Sequence, residues 1–413
     1  MTEQERQERL RQWASVYDET YQHMGSGASA GEDFSLWKSA CTGDPIPQEE
    51  MRQWLNNTLD AIRSLHAESI LEIGCGHGLV LLNLACECTR YVGVDFSSAA
   101  LHRVCEAVEK LPPEQLELLD LDLCQAEAAD LGAIGGEEFH ALVYNSVVQY
   151  FPDVEYLQRA LEQGLERLRS GGKVFVGDVR NADTANLYRV SRLLHQLPEH
   201  TTATEFRRAF DSLAAEDELL LSPAFWHALP GKRLAQMRGI TRPKMGSSCN
   251  ELMKFRYDVT LVGEQSVALD TGTVVSWADI AASHGAWDVL DERLVRLPKH
   301  SSAWTRGVRV TGIPDSRTYK ERCVYEIMFG ERFGPNVSLA AAVAMVDAAD
   351  GCLLQHRGVS PEELIALATQ HGMTADIRLD HMDGASLIVQ FDTAQNDLDK
   401  ATSCGGKEGG GYV

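Results

Sequence analysis

Apolar positions along the N-terminal two thirds of the chain recur in two periods, and the periods alternate. Leu10, Trp13, Tyr17 and Tyr21 stand three or four residues apart, so residues 3–23 are predicted to form an amphipathic helix with one aromatic face. Two readings of that face stand: packing against the body, or a lid whose rings touch a ligand. Residues 24–47 are rich in Gly, Ser and Pro and read as a loop. GDPIPQEEM then opens a second helix, with Pro47 in its first turn, running to about Leu65. From there short apolar runs alternate with helical spacing. Strands are predicted at 69–76, 89–95, 115–122, 139–145 and 173–179, with helices at 78–88, 97–110 and 154–170 between them. Continuous apolar strands separated by helices imply a parallel sheet covered on both faces.

Residues 181–230 hold no strand pattern and read as a helical insert. Two further strands, within 233–243 and 254–262, bring the sheet to seven. After Gly263 the pattern weakens. A strand at 308–313, a helix opened by Ser360-Pro361 with Glu363 closing a capping box, and strands at 374–379 and 386–392 imply a small appended α/β domain. The segment from Thr393, ending GGKEGGGYV, has the composition of a flexible tail. No internal repeat is visible in the sequence. The expected fold class is α/β: a doubly wound, Rossmann-like seven-stranded sheet. Its expected parts are an N-terminal helical lid (1–59), a core (60–263) carrying the insert (181–230), a small α/β domain (264–396) and the tail (397–413).

Composition narrows the function. Of 413 residues, 44% are apolar and 24% charged, ordinary for a globular protein. The net charge of −22 repels phosphate backbones, so no nucleic-acid partner is expected. No apolar stretch approaches a membrane span, and MTEQERQERLRQW lacks the apolar core of a signal peptide. A cytoplasmic location and no membrane partner are expected. The ten cysteines are scattered and form no C-x-x-C pair, so reduced thiols and no metal site are expected.

The chemistry concentrates at Glu72-Ile73-Gly74-Cys75-Gly76-His77-Gly78, which follows a strand and opens a helix. Glycines there let backbone approach a ligand, and a helix N-terminus is positive. Asp95 closes the next strand, where an acid accepts both hydroxyls of a ribose. Asp122 (or Asp120) ends the predicted third strand, within reach of an adenine amino group. Tight turns and acidic caps account for any one of these features. Three strand ends together favour a nucleoside-binding crevice.

These residues resemble the first motif, and those that follow it, of class I S-adenosylmethionine-dependent methyltransferases. The segments W-x-x-x-Y-D-E-T-Y (13–21), LWKSACTGDPIPQEEM (36–51), ILEIGCGHGLVLLNLA (70–85), YVGVDFSSAAL (91–101), YNSVVQYFPDVEYL (144–157), GGKVFVGDVRN (171–181) and NELMKFRYDVTL (250–261) look like the methyltransferase domain embedded in adenylation domains of nonribosomal peptide synthetases. GIPDSR (312–317) and SPEELIALA (360–368) resemble its C-terminal part. The chain shows no adenylation or carrier-type serine motif, so the resemblance implies a freestanding version. LWKSACTG departs from the family's usual G-W-N-S-S-Y-T-G at Lys38, Ala40 and Cys41.

The resemblance implies S-adenosyl-L-methionine as cofactor and S-adenosyl-L-homocysteine as product. It implies methylation of a small-molecule amine or amino acid, free or presented on a carrier protein. Cofactor contacts are expected from Tyr17, Tyr21, Glu72, Gly74, Cys75, Gly76, Asp95, Phe96, Asp122, Asn145 and Ser146. Aromatic rings over a sulfonium gain cation–π energy, which suits Tyr17, Tyr21 and Trp37 as a closing lid. His77 is read as packing beside the cofactor. Asn145, Tyr150, Asp178, Arg180 and His195 are the catalytic candidates. Asn145 would fix the amine or the cofactor's methionine part, or else cap a helix. Asp178 would orient an ammonium and Arg180 a carboxylate or thioester oxygen, unless the two pair with each other. His195 sits in the insert, as general base or as a structural residue. Trp37, Gln149, Asn250, Glu251 and Arg256 are the substrate candidates, with Arg256 on an exposed strand face as the alternative. Methylation at O, S or C, aminocarboxypropyl transfer, and a non-catalytic module of a synthetase assembly are the rival functions.

Overall fold

The computed structural model describes residues 1–24, 30–117, 119–213, 218–263, 273–281, 286–295, 307–349 and 358–393. The expected tail lies outside them. The main sheet contains β1 (Ser69–Ile73), β2 (Arg90–Asp95), β3 (Leu121–Gln125), β4 (Phe139–Asn145), β5 (Leu168–Arg180), β6 (Met237–Pro243) and β7 (Arg256–Gly263), in the order β3-β2-β1-β4-β5-β7-β6. Strands β1 to β5 are parallel, and β7 runs antiparallel to both of its neighbours. The order reverses at β1, so a crevice opens at the carboxyl ends of β1 and β4.

The helices of this part are α1 (Glu3–His23), α2 (Gln48–Arg63), α3 (Leu81–Leu84), α4 (Ser98–Val108), α5 (Pro113–Leu116) and α6 (Val154–Leu165). Side chains alternate across a strand, so each central strand feeds two cores. Ile70, Ala141 and Val143 meet Met51, Trp54 and Leu55 of α2 and Leu101 and Val104 of α4. Leu71, Leu142 and Tyr144 meet Leu157, Ala160 and Leu161 of α6. All of these residues are buried, at about 1.5–3 kcal/mol for each large apolar side chain. Caps set the starts: Ser97 Oγ accepts from Ala100 N at 3.1 Å, and an Asp153 carboxylate oxygen accepts from Tyr156 N at 2.9 Å.

Two sequence readings are corrected here. The run 115–122 is not a strand. Pro113 starts the short helix α5, and β3 begins only at Leu121, where it pairs with Tyr91. Helix α6 stops at Leu165, ahead of the glycines expected to end it, because Leu168 already pairs with Phe139.

The C-terminal sheet contains β8 (Thr273–Ser276), β9 (Val308–Pro314), β10 (Met373–Leu379) and β11 (Ser386–Thr393), in the order β8-β9-β11-β10. The remaining helices are α7 (Ala185–Gln196), α8 (Ala203–Ser212), α9 (Glu251–Phe255), α10 (Trp277–Ala281), α11 (Ala286–Val295), α12 (Tyr319–Phe329), α13 (Leu339–Ala349) and α14 (Pro361–Gln370). This sheet repeats the last four strands of the first one. The pair β8–β9 is parallel like β4–β5, and β11 and β10 pair antiparallel like β7 and β6. The details follow. Asn181 and Asp315 both cap a short helix after the strand, and each forms a parallel bridge, to Leu221 and to Val359. Asp178 and Gly312, each three positions before that cap, share a left-handed backbone at φ 65° and 70°.

So the chain does carry a repeat, in topology where the sequence shows none. Helices α7 and α8 of the insert and their counterparts α12 and α13 form one apolar cluster around Phe206, Phe210, Val324 and Met328. The halves also clasp each other reciprocally: Arg317 Nη1 donates to Lys244 O at 2.6 Å, and Asn181 Nδ2 donates to Gly384 O at 2.7 Å. Among the described residues no helix is long and apolar enough to cross a membrane.

Candidate active site

The turn after β1 is held from below. Gly74 N and Cys75 N both donate to Val94 O, at 2.7 and 3.0 Å. Gly74 and Gly76 have φ of 77° and 54°, in the region glycine adopts without strain. The space above them is also spoken for. A Cβ on Gly74 would lie 2.5 Å from Val147 Cγ2, and one on Gly76 would lie 2.8 Å from Tyr21 Oη. Asp95 is buried and its two oxygens accept from Gly76 N and Ser97 N, both at 2.8 Å. Burial pushes its carboxyl above the usual range. Glu72 is buried beneath the turn and accepts from Tyr91 Oη at 2.8 Å, and burial pushes it up to about 8. The Cys75 thiol is pushed well up by the same burial.

A cavity of about 400 Å³ runs from this turn across the ends of β4 and β5. The end nearest the turn is lined by Glu72, Gly74, Cys75, Gly76, Asp95 and Phe96, roofed by Tyr17 and Tyr21 of α1. The roof is an aromatic stack: Tyr17 lies 5.8 Å from Tyr21, 6.4 Å from Phe96 and 5.1 Å from Tyr150. Trp37 lines the cavity beside His77, at 6.0 Å. His77 itself is buried against Asp33 O, and burial lowers its basicity. Asn145, Ser146, Gln149, Tyr150, Arg180, Glu251 and Arg256 line the remainder. Two of these hold orphaned atoms: Asn145 Oδ1 and Gln149 Oε1 are buried and receive no hydrogen bond.

Four predicted roles change. Asp122 is remote from the crevice. It pairs with Val92 near the start of the strand, and its exposed carboxylate meets Arg90. The register instead sets Gln125 beside Asp95 and carries Ala126 and Glu127 to the carboxyl edge, where a pocket of about 120 Å³ shares Gly74, Asp95 and Phe96 with the cavity. His195 is exposed on α7 and does not line the cavity. Asn250 caps α9, accepting from Leu252 N and Met253 N while donating to Glu50. Its neighbour Glu251 spends both carboxylate oxygens on Ser39 Oγ and Ala40 N, at 2.7 and 2.8 Å, which latches the 36–46 loop over the cavity.

Asp178 is the fourth. It is fully buried beneath the cavity, not in it. It accepts from Trp54 Nε1 at 3.0 Å, Ser146 Oγ at 2.6 Å and Arg256 Nη1, with buried Lys244 Nζ at 3.7 Å. Burial disfavours its charge, yet Arg256 and Lys244, helped by Ser146 and Trp54, hold it at about 2. It therefore positions Ser146 and Arg256 instead of touching a ligand. Asp178 and Arg180 do not pair: Arg180 bonds to Glu218 and stacks on Tyr188 at 4.4 Å. Glu218 lines the cavity and was not anticipated. It lies in the insert, where an acidic run carries no local sign of which carboxylate turns inward.

Residues 71–174 match the family described as "Methyltransferase domain". With the relatives below, this match places the chain in the class I S-adenosylmethionine-dependent methyltransferase family. Among curated proteins, the methyltransferase is 34% identical over 312 residues to the probable non-canonical nonribosomal peptide synthetase CymA of Salinispora arenicola, covering 75% of this chain and 4% of that protein. It is 33% identical over 308 residues to the beauvericin nonribosomal cyclodepsipeptide synthetase of Beauveria bassiana, covering 73% of this chain and 9% of that protein. The methyltransferase thus spans a small fraction of the length of these curated relatives. Among solved structures it is similar to the N-methyltransferase NodS of Bradyrhizobium japonicum WM9 in complex with S-adenosyl-L-homocysteine, at 14% identity and a TM-score of 0.36, covering 60% of this chain and 98% of that one.

The residues of the site fit that cofactor. A glycine turn that leaves no room for a Cβ and a buried acid at the end of β2 are features that would hold an adenosyl cofactor.

Proposed function

We propose that this methyltransferase methylates the amine of an amino acid or an aminoacyl or peptide-like small molecule in natural-product biosynthesis. The observation that carries the reading is the pair of orphaned acceptors, Asn145 Oδ1 and Gln149 Oε1, buried in a cavity beside Glu218. A buried acceptor left without a donor costs about 1–3 kcal/mol, so the site is built to receive N–H groups. Peptide synthetases among the relatives favour an aminoacyl substrate, free or delivered on a carrier protein.

Bound S-adenosyl-L-methionine supplies a methyl group on an electrophilic sulfonium. The chain does the rest. Gly74 and Gly76 would let the backbone approach the cofactor, Asp95 would accept from its ribose, and the pocket of Phe96, Ala126 and Glu127 would hold its base. Tyr17 and Tyr21, which line the cavity, would cover it and exclude water. Asn145 and Gln149 accept from the amine, which aims the nitrogen lone pair along the transfer axis. An α-amine loses its proton near pH 7.7–8.0 in its unperturbed state, so modest base assistance is enough at neutral pH. The test is incubation with methyl-labelled cofactor and amino acid or aminoacyl thioester probes, read by fragmentation mass spectrometry. A one-methyl shift on nitrogen supports the reading. A methyl on O, S or C refutes it, and release of methylthioadenosine would mean that a different C–S bond is cut.

A further inference from the structure

We propose that Glu218 is the catalytic carboxylate that receives the acceptor's ammonium and removes its proton. The inference rests on the amine reading above.

Four carboxylates line the cavity, and three are committed elsewhere. Asp95 takes a backbone N–H on each oxygen, from Gly76 and Ser97, and is assigned above to the cofactor's ribose. Glu251 spends both on Ser39 and Ala40. Glu72 lies at the cofactor turn under Tyr91, and its burial favours the protonated form up to about pH 8. Glu72 and Glu218 each take a side-chain hydrogen bond on Oε2 only, from Tyr91 and from Arg180, with none on Oε1 among the described residues; of the two, Glu218 stands beside Arg180 and Gln149 and away from the glycine turn. Asp178, the carboxylate anticipated for this role, is sealed beneath the floor.

The surroundings suit a base. The Arg180 guanidinium donates to Glu218 Oε2 and holds that carboxylate at the cavity wall. Leu219 N donates to Gln149 O at 2.7 Å, which ties the segment carrying Glu218 to the residue whose Oε1 is orphaned. Among the described residues, the charged and titratable groups facing Glu218 are Arg180 from β5, Arg256 from β7, Tyr17 from α1 and Tyr150 from the turn after β4. Burial lifts both phenols and the Glu218 charge lifts them further, so they stay neutral. Glu218 is then the one carboxylate among these groups.

The step balances. An ammonium N–H gives its proton to Glu218 Oε1. The freed lone pair forms the N–C bond as the C–S bond breaks, and that electron pair remains on sulfur as a thioether. The product leaves as a methylammonium, and the proton on Glu218 passes to solvent.

The experiment uses the full chain and Glu218→Gln. The S-adenosylhomocysteine complex is titrated calorimetrically with an L-amino acid amide and with its 2-hydroxy counterpart, and turnover of an aminoacyl N-acetylcysteamine thioester is followed against pH. The expected result is at least tenfold weaker amide binding in the variant, with S-adenosylhomocysteine affinity unchanged. Turnover should fall about 10²-fold at pH 7 and recover as pH rises through the amine's own titration, with partial rescue by Glu218→Asp. Equal amide affinity and an unchanged pH profile overturn the proposal while leaving amine methylation standing. So does loss of cofactor affinity in step with turnover, which marks a structural role. Wild-type preference for the hydroxy amide, or no binding of the amide at all, overturns the amine reading and this proposal with it.

Discussion

Asp178→Asn removes one negative charge from a buried group of two cations and two acids, and the size of the effect follows from the geometry. The wild-type carboxylate takes hydrogen bonds from Trp54, Ser146 and Arg256, with Lys244 at 3.7 Å. Its fall from the ordinary 3.8 to about 2 corresponds to about 2 kcal/mol of folding free energy. Because the folded value is the lower one, this stability is complete above the ordinary carboxylate value and is lost as pH falls from about 4 to about 2. Asparagine tolerates the left-handed φ of 65° at this position, so the substitution reads charge and not backbone. It also leaves Arg256 buried without its carboxylate; removing one partner of a buried pair costs about 3–5 kcal/mol, and Lys244 keeps Asp258 at 2.7 Å as a partial remedy. A loss of about 2–4 kcal/mol at pH 7 is expected, measured by urea denaturation of the cofactor-free protein. The gap to wild type should close between pH 4 and pH 2. A gap below about 0.5 kcal/mol at pH 7, the ordinary scatter of neutral surface substitutions, would refute the argument, as would one indifferent to acid.

The other predictions concern groups around the same network. Asp95→Ala should weaken S-adenosylmethionine binding by about 1.5–3 kcal/mol in calorimetry and, by orphaning Gly76 N and Ser97 N, lower stability by about 1–3 kcal/mol. Unchanged affinity would mean that the ribose is held elsewhere. Glu72, held up to about 8, retains a proton in the folded chain that the unfolded chain sheds near 4.5, so its burial costs stability increasingly from pH 4.5 to 8. Glu72→Gln should therefore raise the melting temperature at pH 8.5 relative to wild type and leave it nearly level at pH 5. Arg317 is buried with Asp315 and donates to Lys244 O, so Arg317→Met should cost about 3–5 kcal/mol by orphaning Asp315, and adding Asp315→Leu should restore part of that in the same denaturation assay.

The legible part of the site is its local part. A strand, a glycine turn and the acid ending the next strand lie within a short stretch, and each has a backbone reason for its residue types, so Glu72, Gly74, Gly76 and Asp95 could be found by spacing. Asp122 went astray because its strand begins at Leu121, later than the apolar run suggests, and a shift of that size moves an acid from one edge of a sheet to the other. His195 and Asn250 fit a pattern of chemistry-bearing residue types, but helix phase turns one to solvent and a cap occupies the other.

Alternating apolar runs and glycine punctuation determined the parallel sheet, the turn after β1 and the place of the crevice, because those depend on neighbours in the chain. Tertiary structure alone decided which carboxylate faces the cavity and which lies beneath it. Asp178 finds Trp54 across 124 positions and Glu251 finds Ser39 across 212. The repeat of four strands likewise emerged only in space, since a sheet constrains burial and direction far more tightly than it constrains residue identity.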